Sequence, residues 1–355
     1  MKNLYSTKTN SFRLLIIVQL ASLLISNNTS YGQTLYISPA TGNDQATGTK
    51  NAPLKTLDDA VAKANKFSGN SAVKLVLGPG LYLLTHKLMI RTASNSNKAP
   101  YSIEALTLPD DKKWSPSDLP VIVSVSANNS DYEFPHCEGL LVLQDNVTIK
   151  GLKFLGNPNN TVHNYYPIRR QDQTLSGLNV SQCYFIGEPN SSPIQSSIWA
   201  GGAGIHVNHC IFHNSKIAFV LSNGINDFSL THSIIDGAYN TAIWYGFAGT
   251  MPKFTFKNNV ITNCNYVMVY PVEKGQPTYT FIDSYITHND NYLGNYPKAQ
   301  DRFIAEPNHH IREVNIKTKE PVKLVNVADD GITKDNLNIV SGSKAEVTNA
   351  GIFSK

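Results

Sequence analysis

No apolar run in this chain is long enough to cross a bilayer. The one extended run, Leu14 to Ile25, follows Lys2, Lys8 and Arg13 and has the length of a secretory leader's apolar core. Small residues at Ser30 and Gly32 suit cleavage before Gln33, so 1–32 is expected to be a signal peptide and the mature protein exported, periplasmic or secreted. An excess of charge of either sign is also lacking. The formal charge of +4 falls to +1 once the three leader cations are removed, leaving 27 Lys and Arg against 26 Asp and Glu. Bulk charge therefore gives no basis for a nucleic-acid or membrane-surface partner. Low-complexity tracts and interdomain linkers are absent, and 33–355 reads as one domain.

What the chain does have is a repeat. Six copies of a short pattern begin at Val147, Leu178, Ile205, Phe228, Phe254 and Tyr279, separated by steps of 31, 27, 23, 26 and 25 residues. Positions one, three and eight of each copy are apolar, and second strands lie between copies at Leu140–Leu143, Ala218–Leu221, Ala242–Tyr245 and Val267–Tyr270. A period in the twenties with one or two strands per unit predicts stacked rungs, because no single unit can bury its own apolar edge. The fold expected is all-β, a single-stranded right-handed parallel β-helix. The cap is expected over 33–90, rungs over 91–290 and closing strands over 291–355. Cys183 and Cys210 share the sixth position and should stack as buried free thiols, since parallel side-chain vectors suit a disulfide poorly. Cys137 and Cys264 carry no readable pairing.

Ahead of the rungs, Thr56 and Asp59 form a capping box, and Leu57, Ala60, Val61 and Ala64 make one apolar stripe, predicting a short amphipathic helix over the open end of the stack. The segments Tyr36-Ile37-Ser38-Pro39, Gly42-Asn43-Asp44, Gly48-Thr49, Pro53-Leu54-Lys55-Thr56-Leu57 and Pro79-Gly80-Leu81-Tyr82 resemble the N-terminal cap of right-handed parallel β-helix proteins, a group rich in polysaccharide lyases such as those acting on pectate and alginate. The resemblance covers about fifty residues and implies the fold more strongly than the chemistry. The aspartate cluster of pectate lyases and the paired-aspartate and Gly-His-Gly signatures of polygalacturonase-type hydrolases are missing.

The candidate functional residues are drawn from one expected outward strip. The fifth position of the copies holds Gly151, Gln182, His209, His232, Asn258 and Asp283, with His206 and His213 close by in sequence. Rungs about 4.8 Å apart would line these up over two to four sugars. Connections 156–176 and 187–202 are the longest and should leave the stack as loops on the binding side. The first carries His163, Tyr166, Arg169 and Arg170, with the paired arginines suited to a carboxylate and the tyrosine to a sugar face. Eliminating a group beside a uronate needs a cation on the carboxylate, a base for the adjacent proton and an acid for the leaving group. Arg169, Arg170, Lys216 and Lys257 suit the first role, His209 or His232 the second, and Tyr245 or Tyr184 the third. Trp244 and His206 are further candidate ligand contacts, as is His213.

The expected function is therefore an exported carbohydrate-active lyase. It would act by β-elimination on an acidic poly- or oligosaccharide, losing either a sugar or water. A non-catalytic carbohydrate-binding or adhesive β-helix, or a glycoside hydrolase, are the alternatives. The hydrolase would need two carboxyl groups, for which Asp236 and Asp283 are available. No cofactor is expected: parallel imidazoles do not converge on zinc, and calcium has no recognisable site. The protein is expected to be a monomer.

Overall fold

The computed structural model describes residues 32–93, 98–132, 134–245, 251–270, 278–296, 302–307, 311–325 and 336–354, so the expected leader lies almost wholly outside the described residues. From Gln33 onward the chain forms one compact unit. It winds into three parallel sheets. Among the described residues, the first has ten strands, from Gln33–Ile37 to Ile311–Val314. The second has nine, beginning at Leu88–Ile90, and the third has eight, from Gly80–Leu84 to Tyr285–Thr287. Among the described residues, the strands of these sheets pair in parallel except at the end of the second sheet, where Asn291–Asn295 and Ile304–Glu306 pair antiparallel. This is a parallel β-helix, and parallel strands joined by crossovers wind right-handed.

Each repeat copy is a strand of the first sheet, a tight corner and a short strand of the third sheet. Position one, as in Leu178 and Ile205, and position three, as in Val180 and Val207, point into the core, in register from rung to rung. Position eight continues the core, with Phe154, Phe185 and Phe212 stacked at 5.0 and 4.8 Å between ring centroids. The corner explains position five. Gln182, His209, His232, Asn258 and Asp283 all have positive φ, between 47° and 57°, and Gly151 has 72°. Glycine, and short polar side chains less readily, tolerate this left-handed conformation, so the column is chosen by the backbone. At the sixth position the side chain of one rung often serves the backbone of the preceding one. Ser233 Oγ accepts from the Cys210 amide, Asn259 Oδ1 from the Ser233 amide and Ser284 Oγ from the Asn259 amide. Cys183 and Cys210 are buried and free, as are Cys137 and Cys264.

The cap forms as expected: α1 spans Leu57–Asn65, Thr56 caps it by accepting from the Asp59 amide at 3.2 Å, and Leu57, Ala60, Val61 and Ala64 are buried. Two sequence expectations need correction. Segments 156–176 and 187–202 are not simply loops, since they contain the second-sheet strands Tyr165–Arg170 and Ser196–Ala200. Ile168 faces inward there between Leu140 and Ile198. Residues 336–354 do not add closing rungs. They lie across the outer face of the third sheet, where Leu337, Ala345, Ala350 and Ile352 bury Tyr184, Ile211, Ile234, Val260 and Tyr285. Those residues occupy the seventh position, an apolar outward column that water would otherwise meet.

Candidate functional site

The expected single strip of histidines does not exist. His206 lies half-exposed on the first sheet, with Nε2 3.9 Å from Asp227. His209 and His232 sit at the corner between the first and third sheets. His213 ends a third-sheet strand, its Nδ1 2.8 Å from Asp236. Turning a left-handed corner after residue 208 separates these settings, although they are close in sequence.

The His209 and His232 rings stack at 4.8 Å, 12° from parallel. His209 Nδ1 meets the Gly351 carbonyl at 3.1 Å and the Gly351 amide donates to the His232 carbonyl, so the C-terminal segment covers the pair. Burial lowers the pKa of both rings. For His209 the neighbouring His232 adds to the effect, and for His232 the neighbouring Lys257 does. Lys257 is exposed on the first sheet, 3.6 Å from Asp283. Tyr245 is separate from them, in the core, where burial raises its hydroxyl pKa. Tyr184 gives its hydroxyl to the Asn336 carbonyl beneath the C-terminal segment.

The two arginines also part company. Arg170 is wholly buried and clamps a turn, donating to the Gly201 and Ala203 carbonyls at 2.7 and 3.0 Å. Burial pulls its pKa down to about 10. Arg169 points the other way. Its guanidinium carbon lies 3.5 Å from the centroid of Trp199 and 4.7 Å from that of Tyr132, held between two aromatic faces. Its Nε is 2.6 Å from Glu138 Oε1, and Glu138 also meets His136 at 3.2 Å and Lys87 at 3.7 Å. Tyr166 packs on Trp199 at 4.7 Å and edge-on to His136. Arg169 Nη1 is buried without a hydrogen-bond acceptor.

This cluster opens into a groove of about 610 Å³ lined by Tyr132, Leu143, Arg169, Gln171, Asp172, Gln173, Trp199, Ser222 and Asn223. Asp172 is held ionised, its pKa lowered by the Thr174 hydroxyl and amide at 2.7 and 2.8 Å. Of the sequence candidates, Arg169 alone lines the groove; Tyr166 supports it and Trp244 shares its sheet face. His163, exposed ahead of the strand, and half-buried Lys216 do not line it. Glu138, His136, Tyr132 and Trp199 were not anticipated. Trp199 falls in an alternating run after two serines, the one signal that could have placed it on a strand. Among the described residues, no group of three or more His, Cys, Asp or Glu side chains is placed to hold a metal ion. No described helix is long and apolar enough to cross a membrane.

No protein-family model matches the chain, and no curated protein matches it. Solved structures do. A rhamnogalacturonan lyase matches at 12% identity over 91% of this chain and 100% of its own, with a TM-score of 0.46. GH136 lacto-N-biosidase from Eubacterium ramulus matches at 10% identity over 87% and 72%, with a TM-score of 0.42. Pectin methylesterase from Erwinia chrysanthemi matches at 11% over 90% and 95%, with a TM-score of 0.33. At such identities the likeness concerns the fold alone.

Proposed function

We propose that this is an exported carbohydrate-active protein that binds a uronate-containing glycan in the groove of the second sheet and acts on it by β-elimination. The observation that carries the reading is Arg169: a buried cation at the groove, stacked between two aromatic rings, with its Nη1 lacking any acceptor and its Nε paired to Glu138 by charge without an aligned hydrogen bond. A buried donor left unpaired is costly, and a ligand carboxylate would pair it. Half-exposed Trp199 offers a sugar ring the part of its surface that Arg169 does not cover, and Gln171, Gln173, Ser222 and Asn223 offer hydrogen bonds to hydroxyls.

In the elimination, Arg169 neutralises the uronate carboxylate and so acidifies the adjacent carbon. Asp172 takes the proton from that carbon as the C–O bond to the β-substituent breaks and the double bond forms, and the departing oxygen is protonated by water. The Thr174 hydrogen bonds make Asp172 a weak base, so the acidity that Arg169 confers on the carbon carries the step. Hydrolysis by two carboxyl groups is less well served, because among the described residues Asp172 is the one acid lining the groove and Glu138 is engaged by Arg169. The test is ultraviolet absorbance of the purified protein mixed with a panel of uronate glycans. Elimination creates a conjugated double bond and the absorbance rises. Reducing ends released without that rise would mean hydrolysis, and retardation in glycan-containing gels without product would mean binding alone.

A further inference from the structure

The outer face of the second sheet does not end at the groove. Arg169, Trp199, Val220 and Trp244 lie side by side on four successive strands, each in direct register with the next. Trp199 and Trp244 are both half-exposed, and the residue between them is the smaller, buried Val220. Two rungs at strand spacing set the tryptophans roughly 10 Å apart, about the length of two pyranose units. Around Trp244 the chain builds aromatic walls: Tyr296 stands edge-on at 5.6 Å and Phe303 at 5.7 Å, with Tyr266 edge-on to Phe303 at 5.8 Å. Tyr296 and Phe303 flank the antiparallel pair that ends this sheet.

Resting on the glycan reading above, we infer that Trp244, Tyr296 and Phe303 form a second sugar subsite. A single glycan chain would lie along the stacking direction, one ring against Trp199 and the next but one against Trp244. Among the described residues the direct register neighbours of Trp244 are Val220 and Val269, neither a cation, so the subsite takes the face of a pyranose rather than its carboxylate. The ligand is then an oligosaccharide longer than a disaccharide.

Isothermal titration of a uronate disaccharide and hexasaccharide into wild-type protein, Trp199→Ala and Trp244→Ala separates the possibilities. Trp199→Ala should weaken both ligands. Trp244→Ala should weaken the hexasaccharide about tenfold and leave the disaccharide within about twofold. Tyr296→Ala, which leaves the sheet residue in place, should act in the same direction and covers the case in which Trp244→Ala fails to fold. Hexasaccharide affinity unchanged in both variants, or equal losses for the two ligands, would overturn the second subsite alone. Binding untouched by Trp199→Ala would instead overturn the groove assignment, and binding of neither ligand would overturn both.

Discussion

Arg169 lies flat on Trp199, 3.5 Å from the ring centroid, while its Nε faces Glu138 at 2.6 Å. Parallel register makes this possible, since Arg169 and Trp199 are direct neighbours on adjacent strands. A lysine cannot reproduce it, because an ammonium has neither the planar face nor the fork. Arg169→Lys is expected to lose about 1–2 kcal/mol of stability, read by urea unfolding, with a changed near-ultraviolet tryptophan signal.

Glu138 is buried among Arg169, His136 and Lys87. Removing it strands positive charge out of water, which typically costs about 3–5 kcal/mol. Glu138→Ala should therefore lower the urea midpoint sharply, and the double variant Glu138→Gln with Arg169→Met should lose less than the sum of its parts. Strict additivity in that cycle would show that the pair does not interact.

The stacked imidazoles set a pH dependence. Both pKa values are lowered in the folded protein from the ordinary 6.5, so below about that pH the unfolded chain takes up protons that the folded one resists. Stability contributed by the neutral pair is present above pH 6.5 and is lost as the pH falls toward the folded values. Thermal melts between acid and neutral pH should show this loss, and His209→Gln with His232→Gln should flatten it. A profile unchanged in the double variant would mean that other groups set the acid sensitivity.

Corner residues should respond to shape rather than polarity. Asn258 has φ of 57°, and a β-branched side chain there meets the left-handed penalty of about 1–2 kcal/mol. Asn258→Val should be destabilising to that extent by chemical unfolding and Asn258→Gly far less so. The exposed strand residue Thr255→Val should stay near wild type.

The rungs were legible because burial imposes a strict rule: positions one, three and eight, as in Leu178, Val180 and Phe185, had to be apolar for the stack to close. The helix was legible for a similar local reason, with Thr56 capping and a four-residue apolar stripe. Position five misled because a left-handed corner and a polar outer strip select overlapping residues; glycine at Gly151 and asparagine at Asn258 were the signal for a corner. Arg169 was picked out, but its strand was hidden by adjacent arginines of opposite orientation. Glu138 and His136 lie some thirty residues upstream, and only rung stacking brings them to it. The covering role of 336–354 was unreadable because nothing local distinguishes a strand that closes a stack from a segment that lies across it.

The most direct test of the account compares a uronate oligosaccharide with its carboxyl-reduced neutral counterpart, titrated into wild-type protein and Arg169→Met. Wild type should bind the acidic ligand at least about tenfold more tightly than the neutral one, and Arg169→Met should abolish that preference while still binding sugar weakly through Trp199. Equal affinity of wild type for the two ligands, or a preference that survives Arg169→Met, would contradict the assignment of Arg169 as the carboxylate-binding cation.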